Sequence, residues 1–162
     1  WCLEPGEHPW AGRATYPEMV ARWWSPHLPY KVTLQFVSPT TFRSRGQNLP
    51  FPLPELVFGS LLERWNAHAT LALEPQLREF FRDGVAVSQM RLQTSMVNLA
   101  GGKQVGFLGS CTYIATKQEP YAVAALNILA DFAFYAGVGA KTTMGMGQTR
   151  RLDTQSERMV KP

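Results

Sequence analysis

Residues 85–116 read VAVSQMRLQTSMVNLAGGKQVGFLGSCTYIAT. From Val85 to Val97 the chain alternates: Met90, Leu92 and Met96 share one face, while Gln89, Arg91, Gln93 and Ser95 share the other. A period of two is the pattern of a strand with one buried face. Asn98-Leu-Ala-Gly-Gly-Lys103 is a glycine-rich turn, and Val105 to Thr116 returns as a second strand. The pair reads as a long β-hairpin with Lys103 at its tip.

Upstream, Lys31-Val-Thr-Leu-Gln-Phe-Val37 also alternates, with Val32, Leu34 and Phe36 on the apolar side. Ser38 to Gly46 predicts a loop, and Pro50, Pro52 and Pro54 keep the chain extended. A helix is expected from Pro54, because proline suits a first helical turn and Glu55 suits the dipole. Val57, Leu61 and Trp65 recur at helical spacing, with Phe58 and Leu62 beside them. Leu77, Phe80 and Phe81 mark a second helical piece that stops near Gly84. Downstream, Pro120 opens a helix through Leu126, Leu129, Phe132, Ala133 and Ala136. That helix is apolar nearly all round, so burial on more than one side is expected. Gln148 to Leu152 predicts a last short strand, followed by a polar tail.

The order β-α-β-β-α-β predicts an α+β, ferredoxin-like domain: an antiparallel sheet with two helices on one face. The open face is expected to carry Lys31, Thr33, Gln35, Gln89, Arg91 and Gln93. Residues 31–162 form this domain, and residues 1–30 read as a linker or the tail of a preceding domain. That first segment holds four of the five tryptophans and five prolines, which suits a packed linker better than a regular element. The chain starts with Trp rather than Met, so a processed product or a piece of something longer is expected.

The length of 162 residues fits one domain, and 45% hydrophobic with 17% charged residues excludes a disordered chain. No apolar run approaches the ~18–20 residues of a transmembrane helix. Cys2 and Cys111 are far apart and form no metal-binding pair, which points to a reduced, cytoplasmic setting. The net charge of +4 is less informative than its distribution. Glu55, Glu63, Glu74, Glu79 and Asp83 fall in one stretch, whereas Val85–Gln118 and Lys31–Leu53 contain no acid.

Gly137-Val-Gly-Ala-Lys-Thr-Thr-Met-Gly-Met-Gly147 places four glycines around Lys141, Thr142 and Thr143. Such a backbone can bring N–H groups close to phosphate. It is not a dinucleotide fingerprint, because it follows a helix and has Thr142 where a glycine is needed. Nor is it a P-loop, since Lys141 follows Ala140 and no helix comes after. An RNA-backbone loop and a plain tight connection both fit. Gly106-Phe-Leu-Gly109 is only a fragment of an RNA-recognition motif. His8, His27 and His68 are scattered; His68 ends a helix, where a cation is favoured by the dipole. No HExxH, CxxC or GxSxG is present, so neither a metal, a cofactor nor a covalent mechanism is implied.

Four segments carry a resemblance: Phe36-Val-Ser-Pro-Thr-Thr-Phe-Arg43, Pro52 to Asn66, Val105 to Gly109, and Phe134 to Gly147. Over residues 30–152 the chain resembles the C-terminal half of the CRISPR repeat-processing endoribonuclease family of the RAMP superfamily. The resemblance implies two tandem ferredoxin-like domains with CRISPR repeat RNA bound across both, in a prokaryotic cytoplasm and away from any membrane. It also implies metal-independent cleavage of precursor CRISPR RNA, in which a 2′-hydroxyl attacks the adjacent phosphate and leaves a 2′,3′-cyclic end. General acid–base groups of the family come from its first domain, so no catalytic residue carries over to this chain. What carries over is the RNA-binding loop: Gly137, Gly139, Lys141, Thr142, Thr143, Gly145 and Gly147. Arg43, Arg45, Arg150 and Arg151 extend a basic track, and Lys103 is placed to touch an RNA stem. Expected partners are the repeat RNA, an N-terminal domain of the same protein and other CRISPR-associated proteins. The alternatives are a non-catalytic guide-RNA-binding module, a domain of a fusion protein, or a protein-interaction domain.

Overall fold

The architecture is that of a computed structural model, which describes residues 8, 10–44, 46–99 and 102–152. Helix α1 spans Tyr16–Trp23 and strand β1 spans Lys31–Thr40. A small hairpin follows, β2 (Phe42–Ser44) and β3 (Gln47–Leu49), and then α2 (Pro54–His68) and α3 (Leu77–Asp83). The long hairpin is β4 (Val85–Leu99) and β5 (Gly102–Ala115). Helix α4 (Pro120–Ala136), one 3-10 turn (Thr142–Met144) and β6 (Thr149–Leu152) complete the chain.

The main sheet has the order β4-β5-β1-β6, with every neighbouring pair antiparallel. This is the ferredoxin-like topology, and the segments expected to form it do so. Val32, Leu34 and Phe36 of β1 lie opposite Tyr113, Cys111 and Gly109 of β5, and they face the helix layer. Helix α2 supplies Val57, Phe58, Leu61, Leu62 and Trp65 to the core. Helix α4 is buried without interruption from Ala122 to Ala130. At the bottom of that core the buried Tyr113 hydroxyl donates to the Pro52 carbonyl at 3.0 Å.

Helix α4 is wrapped by the chain itself. Helix α1 lies within the segment read as a linker, and its start is a capping box. Thr15 accepts from the Glu18 backbone N–H, and the Glu18 carboxylate accepts from the Thr15 backbone N–H. The Thr15-x-x-Glu18 spacing is a recognised helix-start signal that the proline and tryptophan content obscured. The hydrogen bond from Thr15 holds the Glu18 carboxyl below its ordinary range. Tyr16 of α1 meets Trp65 edge-on at 4.9 Å and Phe132 at 5.9 Å, and Trp65 meets Phe132 at 5.2 Å. Helix α1 thus covers the outer side of α4 over this stretch.

Two local readings are corrected. Strand β1 does not end at Val37. It continues through Pro39, which lacks an N–H, at a register shift between Phe36 and Thr40. The loop expected from Ser38 to Gly46 is therefore strand followed by the β2–β3 hairpin, which Asn48 Nδ2 ties to Gln104 Oε1 of β5 at 2.7 Å. Thr33, expected on an open face, is buried, and its hydroxyl lies 3.0 Å from that of Thr112 on β5.

Trp65→Ala is expected to cost about 3–5 kcal/mol of stability, because it empties the junction of α1, α2 and α4. It also removes the indole N–H bond to the Leu71 carbonyl at 2.8 Å. Urea unfolding checks this. Burial pushes the Cys111 thiol up. In a Cys2→Ser background, alkylation of Cys111 at neutral pH should be slow in the folded chain and fast after unfolding.

Candidate nucleic-acid interface

Most of the glycine-rich segment is consumed by packing. The Val138 N–H donates to the Gly147 carbonyl at 2.8 Å, the Gly147 N–H to Pro39 at 3.1 Å, and the Ala140 N–H to Thr41 at 2.8 Å. The segment therefore closes on itself and on the corner between β1 and β2. Two glycines are required by close approach and by positive φ. A Cβ at Gly139 (φ +79) would stand 2.4 Å from the Thr41 carbonyl oxygen, and one at Gly147 (φ +74) would stand 2.0 Å from that of Val138. The tight-connection reading thus explains Gly139 and Gly147 outright.

Arg64 fastens the segment to α2. Its guanidinium donates to the carbonyls of Ala136 at 3.1 Å, Gly137 at 2.7 Å and Gly139. The first two lie at the C-terminal end of α4, where the helix dipole is negative, and the third belongs to the loop beyond it. Burial pulls the Arg64 pKa down, yet an arginine remains a cation at any physiological pH. Arg64 was not a sequence candidate. The available signal was its place on the apolar face of α2, three residues after Leu61 and next to Trp65.

What remains outward is the apex. Lys141 is the single described non-glycine residue with positive φ, at φ 60 and ψ 32. Its carbonyl is held by the N–H groups of Met144 at 3.0 Å and Met146 at 3.3 Å, which stabilises the left-handed backbone. Lys141 and Thr142 are half-buried, and Thr143, Met144 and Gly145 are exposed. The left-handed backbone at Lys141 thus adjoins the exposed Thr143, Met144 and Gly145.

The other candidates divide into three groups. Arg43 is exposed on β2, two residues beyond the Thr41 that carries the loop, and contacts its cross-strand partner Asn48 at 3.4 Å. Lys103 is exposed beside Gln104, which Asn48 holds, so β2–β3 links the loop end of the sheet to the hairpin. Arg150 and Arg151 point to opposite sides of β6. Arg150 donates to Gln35 at 2.8 Å and stands over the Trp10 ring at 5.0 Å, while Trp10 stacks on Phe134. Arg151 is enclosed on the helix side: it bonds Asp131 at 3.2 Å and Asn127 Oδ1 at 2.8 Å, and covers the Trp23 ring at 4.4 Å. Arg45 lies outside the described residues. None of Arg91, Lys103 and Lys141 forms an ion pair with a described residue, whereas Glu63, Asp83 and Asp131 are each ion-paired with an arginine. No described cluster of His, Cys, Asp and Glu could hold a metal, and no described helix is long and apolar enough to cross a membrane.

Residues 34–149 match the family model described as CRISPR-associated endoribonuclease Cas6. A curated protein of that description from Mycobacterium tuberculosis is 30% identical over 121 residues, covering 74% of this chain and 38% of its own length. A Cas6 solved as a product complex superposes with a TM-score of 0.83 at 35% identity, over 93% of this chain and 61% of that one. A Cas6 substrate mimic complex gives 0.82 at 35% identity, over 93% and 63%. The chain thus spans well under half of the curated relative and about three fifths of the solved proteins.

Arg64→Met should cost about 1.5–3 kcal/mol, the range for hydrogen bonds to a charged group, and should speed amide exchange at Val138, Ala140 and Gly147. Gly139→Ala is expected to be far worse than Gly145→Ala. Position 145 (φ +86) has open space, so it bears only about 1–2 kcal/mol of left-handed strain. Urea melts of the two variants check the order.

Proposed function

The chain belongs to the CRISPR-associated endoribonuclease Cas6 family, and from that premise we propose that it is the RNA-holding half of an enzyme that cleaves precursor CRISPR RNA within its repeats. The observation that carries this reading is the apex of the glycine segment. A cation and exposed backbone are presented beside the corner between β1 and β2, a stretch of sequence, 31–53, that contains no acid. Lys141, Thr142, Thr143 and Gly145 would meet phosphates, on a scaffold shaped by Gly137, Gly139 and Gly147. Arg43 and Lys103 would continue the track toward the hairpin, with Arg45 in the same stretch of sequence. Arg150 would take part from the open face. Arg151 acts from within, by fixing β6 to α4.

In this reading cleavage needs a preceding ferredoxin-like domain that supplies the acid–base groups. The reaction is attack by a 2′-hydroxyl on the neighbouring phosphate, leaving a 2′,3′-cyclic phosphate, in the prokaryotic cytoplasm where the precursor is made. The solved Cas6 product and substrate-mimic complexes support RNA as the ligand of the family.

Labelled repeat RNA titrated with the chain in EDTA tests the proposal. Binding should weaken steeply with salt, and Lys141→Ala should weaken it further while lowering the salt slope by about one. Unchanged affinity in Lys141→Ala would remove the loop from the interface. Binding without cleavage by this chain, with cleavage restored by a form that includes the preceding domain, is the expected division of labour. Binding without cleavage by both forms would favour a guide-RNA-holding module.

A further inference from the structure

Arg150 of β6 lies opposite Gln35 of β1, on the sheet face turned away from the helices. Two neighbours fix its guanidinium. The Nε–H donates to Gln35 Oε1 at 2.8 Å, and Cζ stands 5.0 Å from the centre of the Trp10 ring. Trp10 is itself anchored, because its ring lies parallel to that of Phe134 on α4, with centroids 5.6 Å apart. A hydrogen-bonded turn presents it. The Ala11 N–H donates to the His8 carbonyl at 2.8 Å, and the Trp10 N–H donates to His8 Nδ1 at 3.2 Å. At Gly12 a Cβ would come within 3.1 Å of the Phe134 ring and 3.3 Å of the Tyr135 hydroxyl, so the chain is pressed against α4 there. Trp10 therefore ties the helix layer to an arginine of the opposite face. The donors around Arg150 all have one sense. An arginine Nε–H can only donate, so the Gln35 amide shows it the oxygen and keeps its NH2 as a further donor. The two Nη groups of Arg150 have no acceptor and no carboxylate among the described residues, whereas those of Arg151 are taken by Asp131 and Asn127.

We propose that Trp10 is a positioning residue for RNA: it holds Arg150 so that the Nη groups, with the Gln35 NH2, receive one backbone phosphate of the repeat RNA. The inference rests on the RNA-holding reading of this chain and adds to it a residue that touches no RNA itself. A planar fork of N–H groups matches the oxygens of a phosphate when its orientation is set in advance. The Trp10 ring and Gln35 set that orientation, so less side-chain freedom is lost when the ligand arrives. The ring attracts the cation without neutralising it, so the full charge is kept for the anion. A guanine edge also offers two acceptors to an arginine fork. The uncancelled charge favours phosphate over that uncharged edge, and the two differ in their response to salt. Arg150 lies three residues beyond Gly147, on the strand that the glycine segment leads into.

Fluorescence anisotropy with labelled repeat RNA over a salt series tests this, and thermal unfolding verifies that each variant remains folded. R150A should weaken binding and lower the slope of log affinity against log salt by about 0.7–0.9. W10A should weaken binding about 2- to 10-fold with the slope unchanged, because the charge is still there. W10F should recover most of that loss, and W10A should add nothing in an R150A background. R150K should keep the slope but bind more weakly, since an ammonium has no fork. Unchanged affinity in W10A or R150K, an equal W10A loss in the R150A background, no recovery in W10F, or an R150A loss without a change of slope would each overturn the proposal. A loss in Lys141→Ala with no coupling between Trp10 and Arg150 removes this inference alone. No salt-dependent binding by the unmodified chain removes the RNA-holding reading and this inference with it.

Discussion

One guanidinium decides where the last helix stops and where the loop begins. Arg64 reaches from α2 to the carbonyls of Ala136, Gly137 and Gly139, so the negative end of α4 is closed by a cation rather than by water. The chain can then turn sharply at Gly137 (φ +67) and lay its backbone against Thr41 and Pro39. The left-handed Lys141 sits at the outer end of this arrangement. Its strain is sustained because both ends of the segment are fixed, one to α2 and one to β1.

A second cation does comparable work on the other side of α4. Asp131 accepts from Arg151, from Arg22 at 3.1 Å and from the Trp23 indole N–H at 2.8 Å. This half-buried carboxylate joins β6, α4 and α1. Removing it would leave Arg151 enclosed beside Trp23 without its counter-charge, the kind of loss that is costly inside a protein. Two arginines therefore serve architecture, while Arg43, Lys103 and Lys141 are left to face outward. The net charge of the chain hides this division; the partners of each arginine reveal it.

The strand and helix order was legible in the residues because period-two and helical patterns are strong in 31–37, 54–65, 85–116 and 120–136; burial follows the pattern on α2 and α4 but departs from it at Thr33, which is buried, and at Met90 and Met96, which are exposed. Legibility failed where tertiary contact outweighed local signal. Pro39 argues for the end of a strand, yet the Gln148 and Gly147 backbones and the Ser38 side chain hold the chain extended to Thr40. Tryptophans and prolines in 1–30 argued for a linker, while the capping box at Thr15 and Glu18 set α1. Of the candidate site, the glycines were visible as a cluster. Their two roles, close packing at Gly139 and Gly147 against exposure at Gly145, were not, because they depend on how the segment folds back on Thr41 and on its own Val138.

By itself the sequence determined the βαββαβ order, the segregation of acids onto the α2–α3 region, and the family resemblance. These are properties of residue type and spacing along one chain. Only the tertiary structure decided which charges are spent internally and which glycines touch a backbone. Each of those depends on atoms far apart in sequence, and no local pattern records the distance between them.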